Sequence, residues 1–369
     1  MNYVRCSRCI MDTSDPDITF NNMGVCNHCI KYDRLKILLD DKNIYSESKL
    51  EQIIEKIKKD GKNKQYDCII GVSGGVDSTY VAYKVKEYGL RPLAVHLDNS
   101  WNSELAVSNI EKTLKKLNID LYTHVLDWEE FKDLQLSFLK ASVPDMEIPT
   151  DHAIVSLLYK MAAKEKTRYI IMGTNIATEA IMPSKWAAGH TDWMYIKSIH
   201  NQFGKSKLKD FPHYSMLDYA KYKLVYKQKE ISLLNYINYN KAEAMEIIEE
   251  KLDWKNYGGK HFESIYTRFI QSYVLPVKFG IDKRKAHLST LICSGQMTRE
   301  EALKELEHDS YPLEKVNEDK QYVLKKFGLS ESEFDQILNS PKKYYMDYPN
   351  MTTTLTYKIG KKLYEIIRK

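Results

Sequence analysis

The sequence predicts an α/β protein, a doubly wound parallel sheet with a small cysteine-rich module before it and a helical region after it. Three observations predict this. Between Tyr66 and Met172, short apolar runs alternate with longer stretches of helical periodicity, as in repeated strand–helix–strand units that bury both faces of a parallel sheet. Four of the six cysteines lie in the first 29 residues as two Cys-x-x-Cys pairs. From Gly258 onward the alternation stops and only helical stretches follow.

Taken in order, residues 1–34 form a module too small to fold on an apolar core, with turn formers from Asp12 to Pro16 and Asn21 to Gly24. It needs a staple. Cys6-x-x-Cys9 and Cys26-x-x-Cys29 have the spacing of a closed tetrahedral thiolate site, so a structural zinc ion is expected, with a redox or iron–sulfur role as the lesser alternative. Residues 35–64 form a helical connector, with apolar positions such as Leu50, Ile54 and Ile57 among charges and a break between Asn43 and Ser46.

Residues 65–256 form the sheet domain. Strands are expected at Cys68–Val72, Pro92–Leu97, Leu121–Val125 and Tyr169–Met172, with a fifth near Ile231–Leu234. Helices are expected at Asp77–Tyr88, Ser103–Leu117, Phe131–Val143, Asp151–Lys166 and Lys241–Leu252. Residues 257–369 form the helical region, including Ser264–Tyr273, Lys283–Cys293, Arg299–Glu307 and Leu355–Ile367. Cys68, in a strand, and Cys293, in a helix, read as packing residues.

Composition excludes several classes. Charged residues make up 28% and mean hydropathy is −0.49, unlike a membrane protein or a disordered chain. No apolar stretch approaches the roughly 18 residues of a bilayer span, and the N-terminus lacks the apolar core of a secretion signal, so a cytoplasmic protein is expected. The net charge of +5 is spread along the chain, which suits phosphorylated small molecules at least as well as nucleic acid. A homo-oligomer is compatible with this sequence.

The chemistry centres on Ser73-Gly74-Gly75-Val76-Asp77-Ser78, directly after the first strand. Strand, glycine turn and helix make an anion site: the glycines let backbone amides close on phosphate oxygens, and the helix adds free N–H groups and its positive end. Gly71, Val72 and the loop through Ser78 are therefore phosphate-binding candidates. Asp77 is repelled by a polyanion unless a divalent cation lies between them, which marks it as a Mg²⁺ ligand. The bland alternative is an ordinary glycine turn with a cap. No lysine follows the glycines, unlike the P-loop of kinases.

The hexapeptide resembles the Ser-Gly-Gly-x-Asp-Ser motif of the PP-loop (HUP-like) ATP pyrophosphatases. That resemblance implies that ATP adenylates a substrate oxygen, pyrophosphate leaves, and a nucleophile displaces AMP, with Asp77 and Ser78 catalytic. It also implies adenine contacts from main-chain groups near Val95 to Leu97 at the second strand end, including His96 and Leu97, with Asp98 reaching ribose or metal, and further ATP contacts at Gly173, Thr174 and Asn175, with Glu179 a second Mg²⁺ ligand. As bland alternatives these are a polar loop start and a capped turn.

The cysteine pairs, the loop, Thr150-Asp151-His152-Ala153, and the stretches from Tyr257 to Gln271 and Phe279 to Ser289 together resemble the N-acetyl sugar amidotransferase family, the PseA/WbpG type of bacterial surface-polysaccharide biosynthesis. The implied reaction converts an acetamido group on a nucleotide-linked sugar to acetamidino, as in lipopolysaccharide or pseudaminic acid pathways, using ATP and ammonia from a separate glutaminase subunit. The expected substrate cations are Lys260, His261, Arg268, Lys283, Arg284 and His287, against the alternative of a solvated basic helix face. Asp151 and His152 are expected to orient the acetamido group or ammonia, or to be plain cap residues. Rival readings are a tRNA-modifying enzyme of the same superfamily, which would need a reactive cysteine near the loop, and a binding module that the nucleotide merely regulates.

Overall fold

A computed structural model of the chain describes residues 3–41, 45–259, 262–354 and 357, and its centre is the expected parallel sheet. Five strands, β1 (Cys68–Gly71), β2 (Pro92–Asp98), β3 (Asp120–Val125), β4 (Tyr169–Met172) and β5 (Lys229–Ser232), lie in the order β3-β2-β1-β4-β5. Every pairing is parallel. Chain order reverses between β1 and β4, so a crevice opens beyond the carboxyl ends of those two strands, where doubly wound sheets take their ligands.

The three inner strands β1, β2 and β4 are largely apolar because both of their faces are covered, whereas the edge strands β3 and β5 carry exposed and charged positions such as Asp120, Lys229 and Glu230. Ile69 of β1 joins one core cluster and its neighbours Cys68 and Ile70 join the other. The first face packs on α5 (Trp128–Ala141), α6 (Ile148–Lys164) and α8 (Trp193–Phe203), through residues such as Phe138, Leu158 and Ile196. The second packs on a connector helix, α2 (Glu47–Gly61), with α3 (Val76–Glu87), α4 (Glu104–Leu117) and α10 (Lys241–Leu252), through Ile57, Val81, Ile110 and Ile248. Burying a side chain of this size stabilises by about 1.5–3 kcal/mol.

Two expected boundaries shift. Residue 34 falls inside α1 (Asn27–Asp41), which begins within the cysteine module and carries Cys29. Residue 257 is not a core boundary, because one cluster runs from Cys6 to Tyr348. Ser103 N donates to Glu263 O and Ile265 N to Trp101 O, while fully buried Trp101 stacks on Tyr266 at 5.2 Å.

The helical region contains α11 (Ile265–Phe269), continued in wide π-wound turns through Phe279, then α12 (Arg284–Ser294), α13 (Arg299–Leu306), α14 (Leu313–Phe327) and α15 (Glu331–Asn339). Pro276 lies within the wide turns and cannot donate to a regular helical ladder. The helix expected at Leu355–Ile367 lies outside the described residues apart from Tyr357. The excursion between β4 and β5, with α7 (Ile176–Glu179), α8 and α9 (Met216–Ala220), went unread in the sequence. Among the described residues no helix is long and apolar enough to cross a membrane.

Candidate active site

Side chains close the N-termini of α4 and α5, where Ser103 accepts from Ala106 N and Asp127 from Glu130 N. At α3 the capping position is Gly75, and no side chain caps it. The Val76 backbone instead meets the Tyr257 hydroxyl from across the cleft, and the helix start lines the crevice. Gly74 has φ +82, and a Cβ there would stand 2.7 Å from Ala106 O, so this position needs glycine on both counts. Within the loop, Gly75 N donates to Ser73 Oγ at 3.3 Å and Ser78 Oγ to Gly75 O at 3.2 Å. From outside, Trp254 Nε1 donates to Gly74 O at 2.8 Å.

Asp77 accepts a short hydrogen bond from Tyr239 Oη. Burial, Asp77 and Glu179 together push the Tyr239 hydroxyl far up, so it stays a donor. Glu179 ends α7 and lines the same cleft as Asp77. Two carboxylates, one in the Ser73–Ser78 loop and one across from it, fit a Mg²⁺ ion, which takes one or two protein carboxylates and completes its shell with other oxygens such as water.

The cleft has a volume of about 790 Å³. The loop, Gly173 and Thr174 form one side; Tyr257, Lys283, Arg284 and His287 form another. Lys283, Arg284 and His287 are thus brought to the cleft as expected. Arg284 is already held, donating to both oxygens of Asp282 and, at 2.8 Å, to His308 O. Lys260 and His261 lie outside the described residues.

The side chains of the remaining expected residues are held by the protein itself. Arg268 makes a bidentate pair with Asp319, at 2.7 Å for each bond, and lies over Tyr311, so its guanidinium is occupied by the protein itself. His152 is fully buried and stacks on Tyr214 at 4.5 Å. Its Nδ1 bonds His190 O and its Nε2 accepts from Tyr214 N. Burial holds its pKa down to about 4, so it is a neutral clasp on the excursion without an opening onto the cleft. His96 Nδ1 bonds Val72 O and its Nε2 meets Asn102 Nδ2. Asp98 accepts from Ser100 N, Leu97 is buried, and Asn175 caps α7 by accepting from Thr178 N; their side chains are engaged locally.

Sequence reasoning missed an acidic group at the start of α6. Asp151, which was expected, is exposed, yet burial of its surroundings and Asp145 push its acid up to about 7. Glu147 is pushed up to about 8, by burial first and then by Asp151. Asp145 is buried and also raised. Lys283, from the cleft wall, opposes all three shifts. Glu147 Oε2 accepts from Thr267 Oγ1 at 3.0 Å, while its Oε1 has no protein partner.

The four N-terminal cysteines are completely buried with their ligand atoms within 4.8 Å of one another. Four Zn–S bonds of about 2.3 Å in a tetrahedron put sulfurs about 3.8 Å apart. Cys6 and Cys29 are 3.9 Å apart and Cys9 and Cys26 are 3.7 Å apart, so the set fits zinc. Cys293 is more than packing: its Sγ lies 3.6 Å from that of Cys29. Its helix, α12, also receives Ile10 N on Ser289 Oγ and pairs Lys285 with Asp12 at 2.6 Å. Just beyond α12, Gln296 Nε2 donates to Tyr239 O, and Tyr239 holds Asp77. The cysteine module and the cleft share one helix.

Residues 263–364 match the family described as the C-terminal domain of WbpG-like lipopolysaccharide biosynthesis proteins. An uncharacterized protein of Methanocaldococcus jannaschii is 24% identical over 321 residues, 84% of this chain and 96% of that protein. The 7-cyano-7-deazaguanine synthase of Sulfurimonas denitrificans is 31% identical over 126 residues, 30% of this chain and 55% of the synthase. Among solved structures, NMN synthetase from Francisella tularensis overlays with a TM-score of 0.33 at 16% identity, covering 78% of this chain and 98% of that one. The NH3-dependent NAD synthetase of Campylobacter jejuni overlays at 0.29 and 15%, covering 55% and 91%.

Proposed function

We propose, from the match of residues 263–364 to a WbpG-like C-terminal domain and from a parallel sheet whose first strand runs into the Ser73–Ser78 loop, that the chain is an ATP-dependent amidotransferase of the PP-loop type in surface-polysaccharide biosynthesis. It is the synthetase subunit that turns the acetamido group of a nucleotide-linked sugar into an acetamidino group. A partner glutaminase supplies the ammonia. The observation that carries this reading is the glycine loop at the start of α3, with Asp77 and Glu179 beside it, lining one cleft with Lys283, Arg284 and His287.

The amide oxygen of the acetamido group forms a bond to the α-phosphorus of ATP, and the bond to the β-phosphate breaks with its electron pair leaving on pyrophosphate. Amides of the loop and of the α3 start hold that pyrophosphate, since they are donors fixed in place beforehand. Asp77 and Glu179 would hold a Mg²⁺ ion, which when bound would neutralise phosphate charge. Tyr239, by donating to Asp77, fixes the orientation of that carboxylate. Ammonia then forms the C–N bond while the C–O bond breaks toward AMP. Lys283 and His287 face the nucleotide sugar, whose diphosphate needs cations. Among the described residues no cysteine lines the cleft, and Cys68 is wholly buried, which counts against sulfur transfer to tRNA.

The test is direct. Protein supplied with ATP, Mg²⁺, ammonium chloride and a UDP- or CMP-linked diacetamido sugar is expected to release AMP and pyrophosphate, and Asp77→Asn to abolish turnover with the fold kept. ADP as product, or AMP release stimulated by tRNA instead of sugar, sinks the reading.

A further inference from the structure

The face of the phosphate loop that looks onto the cleft already has an occupant. Gly75 leaves space beside the start of α3, and the Tyr257 hydroxyl stands in it. A Cβ added to Gly75 would lie 3.1 Å from Tyr257 Oη, 3.3 Å from Ser73 Oγ and 3.6 Å from Glu263 Oε1. The hydroxyl accepts from the Val76 N–H and donates to Glu263. Burial first, then Glu263 and Asp77, push its pKa far up, so it stays a neutral phenol that can do both.

Anchored backbone brings both residues here. Lys255 N donates to Asn109 Oδ1 of α4 at 2.9 Å, and Asn109 Nδ2 donates to Lys255 O at 2.8 Å. Trp254, whose indole N–H holds Gly74 O, meets the Tyr257 ring edge-on at 5.5 Å. On the other side Glu263 O accepts from Ser103 N at 2.8 Å, and Ser103 caps the same helix α4. The main chain is thus pinned beside both residues. The Tyr257 side chain itself is half-buried and borders a cleft of about 790 Å³, which has room for the ring. What can move is the side chain.

A phosphate oxygen and the Tyr257 oxygen are both acceptors, and the Val76 N–H cannot be well aligned with the two at once. Glu263 adds a negative charge on the same face, against a polyanion. We propose that Tyr257, backed by Glu263, is a built-in competitor for the phosphate loop: its hydroxyl holds the place of one pyrophosphate oxygen, and nucleotide seats only as the side chain turns out into the cleft. This rests on the reading of the loop as the ATP site. The ligand binds only those molecules in which the ring is out, so its affinity is lowered by that fraction. The same holds for the product. Once the bond between the α- and β-phosphates has broken and pyrophosphate has left, return of the hydroxyl to Val76 opposes its rebinding.

The full chain, titrated calorimetrically with magnesium pyrophosphate and no sugar, tests this. Tyr257→Phe, which keeps the ring and removes the oxygen, is expected to tighten binding about tenfold, the scale of one hydrogen bond of ordinary net strength. Amide hydrogen exchange reads a second sign. In wild type, saturating magnesium pyrophosphate should slow exchange across Ser73–Ser78 and speed it across Trp254–Gly258, where the ring has been released. A variant that binds pyrophosphate no better than wild type, or exchange that slows in both segments, overturns the proposal, since Tyr257 would then be holding phosphate instead of yielding to it. Binding by the variant alone supports it. If neither protein binds pyrophosphate, the loop is not the ATP site, and the proposal falls with that reading.

Discussion

Replacing Glu147 by glutamine should change how the stability of this protein depends on pH, and the size of the change can be worked out. The carboxyl is held at about 8 against an ordinary 4.5, first by burial and then by Asp151. The fold therefore favours the protonated acid. For a group raised in this way, the stabilisation is complete below pH 4.5 and is lost as pH rises through about 8. The gap between those values sets a ceiling of about 5 kcal/mol. Glu147 keeps partial solvent contact, where water screens the ionised form, so roughly half that figure is expected. Glutamine is a neutral isostere that still accepts from Thr267 and has no proton to lose. Urea unfolding at pH 5, 7 and 9, with the m-value checked for constancy, should show wild type losing about 2–3 kcal/mol more than the variant between the extremes. At pH 5 the two should agree within about 1 kcal/mol. Parallel stability curves, or a variant less stable at pH 9, would refute the reasoning.

Other outcomes follow from the framework residues. Metal analysis should give about one zinc per chain, and Cys26→Ser or a chelator should remove it and lower the melting temperature, since a structural zinc site supplies on the order of 10 kcal/mol in isolated modules. Asp319→Ala should cost about 3–5 kcal/mol in urea unfolding by leaving the Arg268 guanidinium buried and unpaired, whereas the double change Arg268→Met with Asp319→Leu should cost less, with the substrate KM unmoved. His152 is held down to about 4 from 6.5 by burial; its contribution is complete above pH 6.5 and lost as pH falls toward 4. His152→Phe should therefore flatten the acid limb of the stability curve by about 2–3 kcal/mol, while costing about 1–3 kcal/mol at neutral pH through the lost clasp on His190 and Tyr214.

Much of the fold was legible because parallel strands buried on both faces read as unbroken apolar runs, and Cys68–Ile70 is such a run between helical periods. The loop at Gly74 was legible for a similar reason: a residue with φ +82 pressed against Ala106 leaves glycine in the sequence. Partnership is harder to read. Arg268 and His152 carry the right functional groups, yet Asp319 lies 51 residues from one and Tyr214 lies 62 from the other, so their occupation by the protein is visible only after folding. Asp145 and Glu147 sit in a short irregular stretch before α6 with no periodic signal, and their importance comes from burial beside each other. Cys293 lies 264 residues from Cys29, and nothing local marks it as a neighbour of the pairs.

Helix α12 is pinned on one side by Ile10, Asp12 and Cys29 and presents His287 and Arg284 to the cleft on the other. A chain begun after residue 34 would lose more than an accessory: the wall that faces the phosphate loop would have nothing to lean on. Metal loss at the N-terminus should then be felt first as a widened cleft and only later as unfolding, because the start of α13 is tied back to the module as well, Arg299 donating to Cys9 O across 290 positions of the chain.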